Sequence, residues 1–289
     1  MFGRFDKLEY ITQLDPQTDY EEIVYIVGAY ESPWLTKKAL EFALFRTYAV
    51  PHTSRILRAT GQFGAHGQKR YDDTTLMLAG IAEKGIDSDY SKIVIDKMNA
   101  LHGRYNLRNE DMLYVLSTFM LEPTRWAKRF GWRQPHRIEQ EANFYFWREV
   151  GTRMGIQDIP ETLEAVDAFN IAHERETYAY DDANAFIGEA TMQVFLSWYP
   201  ALLRPIVRQF LYAMMDDPLL QAMGFEKPHA VVCWAAYAGL KARAWFVRLS
   251  PPRRQPYHYT EEPNRTYTDG FKPEDLGARP IETQPSAAD

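Results

Sequence analysis

Ile93-Val-Ile-Asp-Lys-Met-Asn-Ala-Leu-His-Gly-Arg-Tyr105 and Asn109-Glu-Asp-Met-Leu-Tyr-Val-Leu-Ser-Thr-Phe-Met-Leu-Glu-Pro123 decide the fold. In the first stretch Val94, Met98, Leu101 and Tyr105 recur at three- and four-residue intervals, the spacing of one face of an α-helix. In the second, Asp111 can open a helix whose apolar body is Leu113–Met120, and Pro123 lies close to its expected end. The same period extends outward from both. It carries Leu40, Phe42, Leu44 and Phe45 ahead of Pro51, then Leu76, Leu78 and Ile81, Leu202–Met215 and Val231–Val247. Asp158, Pro160 and Glu161 read as a further helix start, because proline is tolerated in a first turn where its missing N–H has no partner to lose. Breaks at Met214–Pro218 and Gly224–Pro228 separate the last helices. No stretch alternates apolar and polar residues long enough to predict a strand, and no repeat at a solenoid period is present. The pattern predicts an all-α protein. Residues 1–19 read as an irregular lead-in, 20–250 as one helical domain and 251–289 as an extended tail holding seven of the 17 prolines. A strap across the domain, made with Tyr257, Tyr259 and Tyr267, is the competing reading of that tail.

Composition narrows the function. Thirty-three basic against 39 acidic residues give a net charge of −6, which argues against a broad nucleic-acid surface. The lone Cys233 excludes an internal disulfide framework, a cysteine-rich zinc module and c-type haem attachment. The longest uncharged run, Ala190–Leu203, has 14 residues and includes Pro200, too short to span a bilayer, and the N-terminus has no apolar signal core. A cytoplasmic protein without a transmembrane anchor is expected.

Candidate chemistry is sparse. His52, His66, His136 and His258 lie in Pro- or Gly-rich or polar stretches and read as loop residues, and His173 reads as part of a solvated, charged helix face. Glu226-Lys-Pro-His229 has an E-x-x-H spacing without a second copy, and Pro228 opposes a regular helix there. Gly61-Gln-Phe-Gly-Ala-His-Gly67 matches no phosphate loop and reads as a flexible connection. Cys233, among Val, Trp and Ala, reads as buried and inert. His102 differs, because helical spacing sets it at the edge of the Met98/Leu101 stripe and aims its imidazole inward. A satisfied core histidine and an axial ligand to haem or metal are both consistent with that position. Arg70 and Thr74, four apart, project from one helix face. A guanidinium and a hydroxyl can together hold a carboxylate, a haem propionate or an oxygen species; an ordinary ion pair of Arg70 with Asp72 or Asp73 is the alternative. The aromatic run Phe144-Tyr-Phe-Trp147 suits either a core or the wall of an apolar pocket.

Several segments taken in order carry a resemblance. They are Phe45-Arg-Thr-Tyr-Ala49, Arg70-Tyr-Asp-Asp-Thr74, Met98-Asn-Ala-Leu-His102, Asn109-Glu-Asp-Met-Leu-Tyr-Val-Leu-Ser117 and Glu122-Pro-Thr-Arg-Trp126. Gly131-Trp-Arg133, Phe146-Trp-Arg-Glu-Val-Gly151 and Met154-Gly-Ile156 follow. The series, over roughly Asp19–Val247, resembles the rubber oxygenase (latex-clearing protein)/MpaB catalytic-domain family. It is more similar to the MpaB-like branch, whose namesake cleaves a prenyl side chain in mycophenolic acid biosynthesis. The resemblance implies a globin-like helical core holding haem b, with His102 as the iron ligand. It further implies Arg70 and Thr74 as catalytic residues on the distal side, Arg70 also contacting the cofactor. Dioxygen and an apolar, isoprenoid-like alkene would be the substrates, and oxidative C=C cleavage the reaction. One departure stands out: Asp73 occupies the position where rubber oxygenases can carry a lysine able to reach the iron. A haem peroxidase or peroxygenase, and a haem-binding sensor or carrier without turnover, are the other functions compatible with the same cofactor.

Overall fold

The computed structural model describes residues 3–278, whose regular elements are all helices, with no strand among them. In chain order the helices are α1 (Asp6–Ile11), α2 (Tyr20–Ile26), α3 (Pro33–Thr47), α4 (Pro51–Ala59), α5 (Gln62–Lys84), α6 (Asp89–His102) and α7 (Asn109–Phe130). There follow α8 (Arg137–Arg153), α9 (Leu163–Thr177), α10 (Asp182–Ser197), α11 (Arg204–Tyr212), α12 (Asp217–Met223) and α13 (Ala230–Leu249). Local chemistry sets many of these limits. Pro33 and Pro51 open α3 and α4, Ser88 Oγ accepts the Ser91 N–H at the start of α6, and Gly224 closes α12 at φ 67°. His136 and Glu139 form a reciprocal cap on α8, and His229 caps α13, so both histidines hold helix ends.

Two helices depart from expectation. The Gly61–Gly67 stretch, expected to be a flexible connection, instead forms the opening turns of α5. Its glycines let α5 approach α10, for a Cβ at Gly67 would stand 2.9 Å from a Val194 methyl and one at Gly64 3.3 Å from Phe186. Helix α7 runs straight through Pro123 to Phe130 instead of stopping near it. Proline removes the N–H that would satisfy the Phe119 carbonyl. The Asn143 side-chain amide on α8 replaces it, donating to Phe119 O at 3.3 Å and Met120 O at 2.7 Å.

Helices α3 and α7 pack together and divide the interior in two. On one side Phe42, Phe45, Trp126 and Phe130 meet Phe195 of α10 and Leu219 of α12. On the other, Leu116 and Phe119 meet Leu76 of α5, Val94 of α6, and Phe146 and Trp147 of α8. Not all apolar residues go inward: Trp234, Trp245 and Phe246 of α13 are exposed. The segment after α13 packs as a strap. Tyr257 N–H donates to Ala29 O at 2.9 Å, Tyr259 N–H to Glu83 at 2.6 Å, and the Tyr267 hydroxyl to Asp73. Leu276 is fully buried, which contributes about 2 kcal/mol on an area basis. The remaining expectation for the tail, beyond residue 278, lies outside the described residues.

Candidate functional site

His102 ends α6, and Arg70 lies on the neighbouring α5. The imidazole is half-buried, and its Nδ1 is buried with no hydrogen-bond partner among the described residues. Burial, and then the nearby Arg70 cation, push the His102 pKa below its ordinary 6.5, so the ring is neutral at neutral pH. An uncharged imidazole nitrogen with a free lone pair is the donor that iron requires.

Arg70 is equally free. Among the described residues it forms no ion pair, so the expected competition from Asp72 and Asp73 is absent. Asp73, only 1% exposed, is taken by Lys69 at 2.8 Å and by Tyr267, while Gln68 and Thr266 hold Asp72. The Arg70 guanidinium instead lies 5.6 Å from the Phe63 ring centre. Its charge also reaches Tyr48, whose hydroxyl is pushed up to about 12 by burial despite that cation. Thr74 donates its hydroxyl to the Arg70 carbonyl at 2.9 Å, leaving the oxygen free to accept. Its side chain borders a cleft of about 870 Å³ that neither Arg70 nor His102 lines. Arg70 is thus near enough for its charge to act on His102, and Thr74 stands on the wall of an adjoining space.

That cleft is framed by α2, α3, α5, α7, α8 and the strap. A π-helical turn, Val27–Glu31, continues α2 along its edge and accepts the strap at Ala29. Leu40, Leu44, Leu78, Phe146 and Trp147 make the lining predominantly apolar, and Tyr257 and Tyr259 cover one side. A second space of about 680 Å³ adjoins it, sharing Val24, Gly28, Thr36, Pro123 and Asn143. Lys37 also faces the cleft, a residue that reading of the sequence passed over. Lys37, Leu40 and Leu44 fall at i, i+3 and i+7, so the signal was a lysine set in an apolar stripe.

Other histidines sit differently from expectation. His173 is buried, not solvated: it stacks on Tyr114 with ring centres 4.6 Å apart, and burial lowers its pKa despite Asp111. His52 Nδ1 lies 2.6 Å from buried Asp111 rather than in a loop. Among the described residues, no group of three His, Cys, Asp or Glu is placed to hold a metal ion. Cys233 is half-buried rather than enclosed, with Sγ 3.8 Å from the Pro228 carbonyl.

Close to this wall, Arg46 anchors a saturated polar hub. It pairs in bidentate fashion with Glu174 at 2.8 and 2.5 Å and reaches Asp216 at 2.7 Å. Tyr114 and Tyr178 donate into the same group, and Arg125 ties Glu122 to Asp167 and Asn170. Burial alone would lower the Arg46 pKa, but Tyr178, Glu174 and Glu122 outweigh it and raise it well above the usual value. Several of the motif segments that carry the family resemblance, those around Arg46 and Glu122, therefore build the scaffold.

The chain is similar to fungal oxygenases. The chain is 33% identical over 244 residues to ER-bound oxygenase mpaB' of Penicillium brevicompactum, covering 77% of this chain and 57% of that relative. It is 31% identical over 211 residues to ER-bound oxygenase mpaB of Penicillium roqueforti (strain FM164), covering 67% of this chain and 71% of the relative. A match to mpaB of Penicillium brevicompactum, 30% identical over 172 residues, covers 53% of this chain and 44% of that protein. Among the described residues no helix is long and apolar enough to cross a membrane. With residues 49–249 matching its model, the chain belongs to the ER-bound oxygenase mpaB/B'/rubber oxygenase catalytic-domain family.

Proposed function

We propose that the chain is a haem b-dependent oxygenase that cleaves a C=C bond of an apolar, isoprenoid-like alkene with dioxygen. The observation that carries this is His102 Nδ1, buried without a hydrogen-bond partner among the described residues, with Arg70, which forms no ion pair, near enough to act on its charge. Their chemistry fits the cofactor: His102 would hold the iron, and Arg70 would pair with a propionate or with charge developing on oxygen. Bound haem would supply activation of dioxygen. The net reaction balances without a reductant, since both oxygen atoms end in the two carbonyl products.

The protein's own contributions are positional. Burial and Arg70 keep His102 uncharged, so its lone pair is available. Thr74, with its proton committed to the Arg70 carbonyl, offers an acceptor that orients a water or a substrate hydroxyl at the cleft wall. Phe146 and Trp147 form an apolar surface that excludes water from a hydrocarbon chain. Purified protein should show a haem spectrum that shifts with dithionite and carbon monoxide, and His102→Ala should remove the Soret band. Full haem occupancy in that variant would refute His102 as the ligand.

A further inference from the structure

Every charged group lining the main cleft is satisfied except one. Glu41 accepts Lys38 and the Tyr71 hydroxyl, each at 2.6 Å. Glu83 is bound by Tyr259 N–H at 2.6 Å and by Thr260 through both its N–H and its hydroxyl. Lys37 has no carboxylate within ion-pair distance and no hydrogen-bond acceptor among the described residues. Its ammonium is instead held between two aromatic faces, 4.5 Å from the Tyr259 ring centre and 6.0 Å from that of Tyr71. Both rings belong to the cleft wall. Cation–aromatic contact partly replaces lost hydration, but it supplies no acceptor for the three N–H bonds. Away from Lys37 the space is floored by buried Phe146 and Trp147. The cleft therefore has a polar end under the strap and an apolar end in the second core.

We propose that Lys37 is the head-group site of this cleft and that the substrate is an amphipathic alkene whose terminal carboxylate pairs with Lys37 while its hydrocarbon chain runs toward Phe146 and Trp147. The neighbouring acidic groups do not repel such an anion strongly, because Lys38 neutralises Glu41 and Glu83 is occupied by three donors. Burial disfavours the charge on Lys37, and an arriving carboxylate supplies the counter-ion. A charge-assisted contact of this kind selects an acid over its uncharged ester, which the apolar walls alone cannot do. The assignment rests on the oxygenase reading for its placement of the alkene, but the binding preference is measured without turnover.

The fluorescence change of cis-parinaric acid, a conjugated polyene acid, and of its methyl ester reports binding to the purified protein. The acid should bind roughly tenfold more tightly than the ester. Lys37→Met should bring the two within about twofold by weakening the acid alone, and Lys37→Arg should keep most of the preference. Equal affinity for acid and ester in the wild-type protein, a preference that survives Lys37→Met, or no binding of either ligand would each overturn the proposal. The wild-type comparison decides the matter even if a variant fails to fold. A preserved acid preference with no oxygen-dependent product would refute the oxygenase reading and leave the head-group site standing.

Discussion

The Arg46 hub and the Arg70–His102 wall lie in the same helical body and handle polar groups in opposite ways. Around Arg46, the buried charges meet counter-charges and hydroxyls from α3, α7 and α9 and from the N-cap of α12. Along α5 and α6, His102 Nδ1 is buried without a hydrogen-bond partner among the described residues, and Arg70, like Lys37 on α3, meets aromatic rings rather than a carboxylate. Leaving a buried polar group such as His102 Nδ1 unmatched costs stability. The hub holds the frame; the wall is where the proposed ligand would sit.

The contrast can be broken most severely at the hub. Arg46→Met leaves Glu174 and Asp216 without their cation and should cost about 3–5 kcal/mol, read as a drop in the urea midpoint. His102→Ala, the exchange proposed to remove a haem spectrum, should cost the haem-free protein less than about 1 kcal/mol, since no hydrogen bond is lost. Comparable losses from the two exchanges would erase the distinction. An intermediate effect is expected at Asn143→Leu, which strips the amide that repairs α7 beside Pro123. It should destabilise by about 1–3 kcal/mol in the same titration, and an unchanged midpoint would show that water can serve those carbonyls.

The smallest effect concerns acid. His102 and His173 both have folded pKa values below their ordinary 6.5, because burial disfavours the cation. The unfolded chain therefore binds more protons as pH falls below 6.5, and stability declines from there toward the folded values. Their contribution is intact above that pH. The urea midpoint should fall between pH 7 and pH 5, and less steeply in His173→Gln; an equally steep fall would assign the acid sensitivity elsewhere.

Much of the helical frame is legible from local chemistry. The period of Val94–Tyr105, the prolines opening α3 and α4, and the breaks before α12 and α13 all act within a turn or two of chain. What escapes reading depends on distant partners. Pro123 stays inside α7 because Asn143, on the next helix, supplies the missing donor. Gly64 and Gly67 belong to a helix because α10 needs the space, and His173 is buried because Tyr114 lies against it. The strap is set by Ala29, Glu83 and Asp73, none of them near it in sequence. His102 could be singled out by spacing, but its lack of a hydrogen-bond partner could not. Lys37 went unread because a lysine in an apolar stripe usually reaches past it to solvent.

Asp73 ties the strap to α5 through charge. Lys69, Asp73 and Tyr267 share a single cluster, closed by Lys69 donating to the Gly277 carbonyl at 3.0 Å. Installing lysine at 73 alone would set two ammonium groups against each other and release the aromatic latch, so that exchange calls for a compensating change at Lys69 or Tyr267.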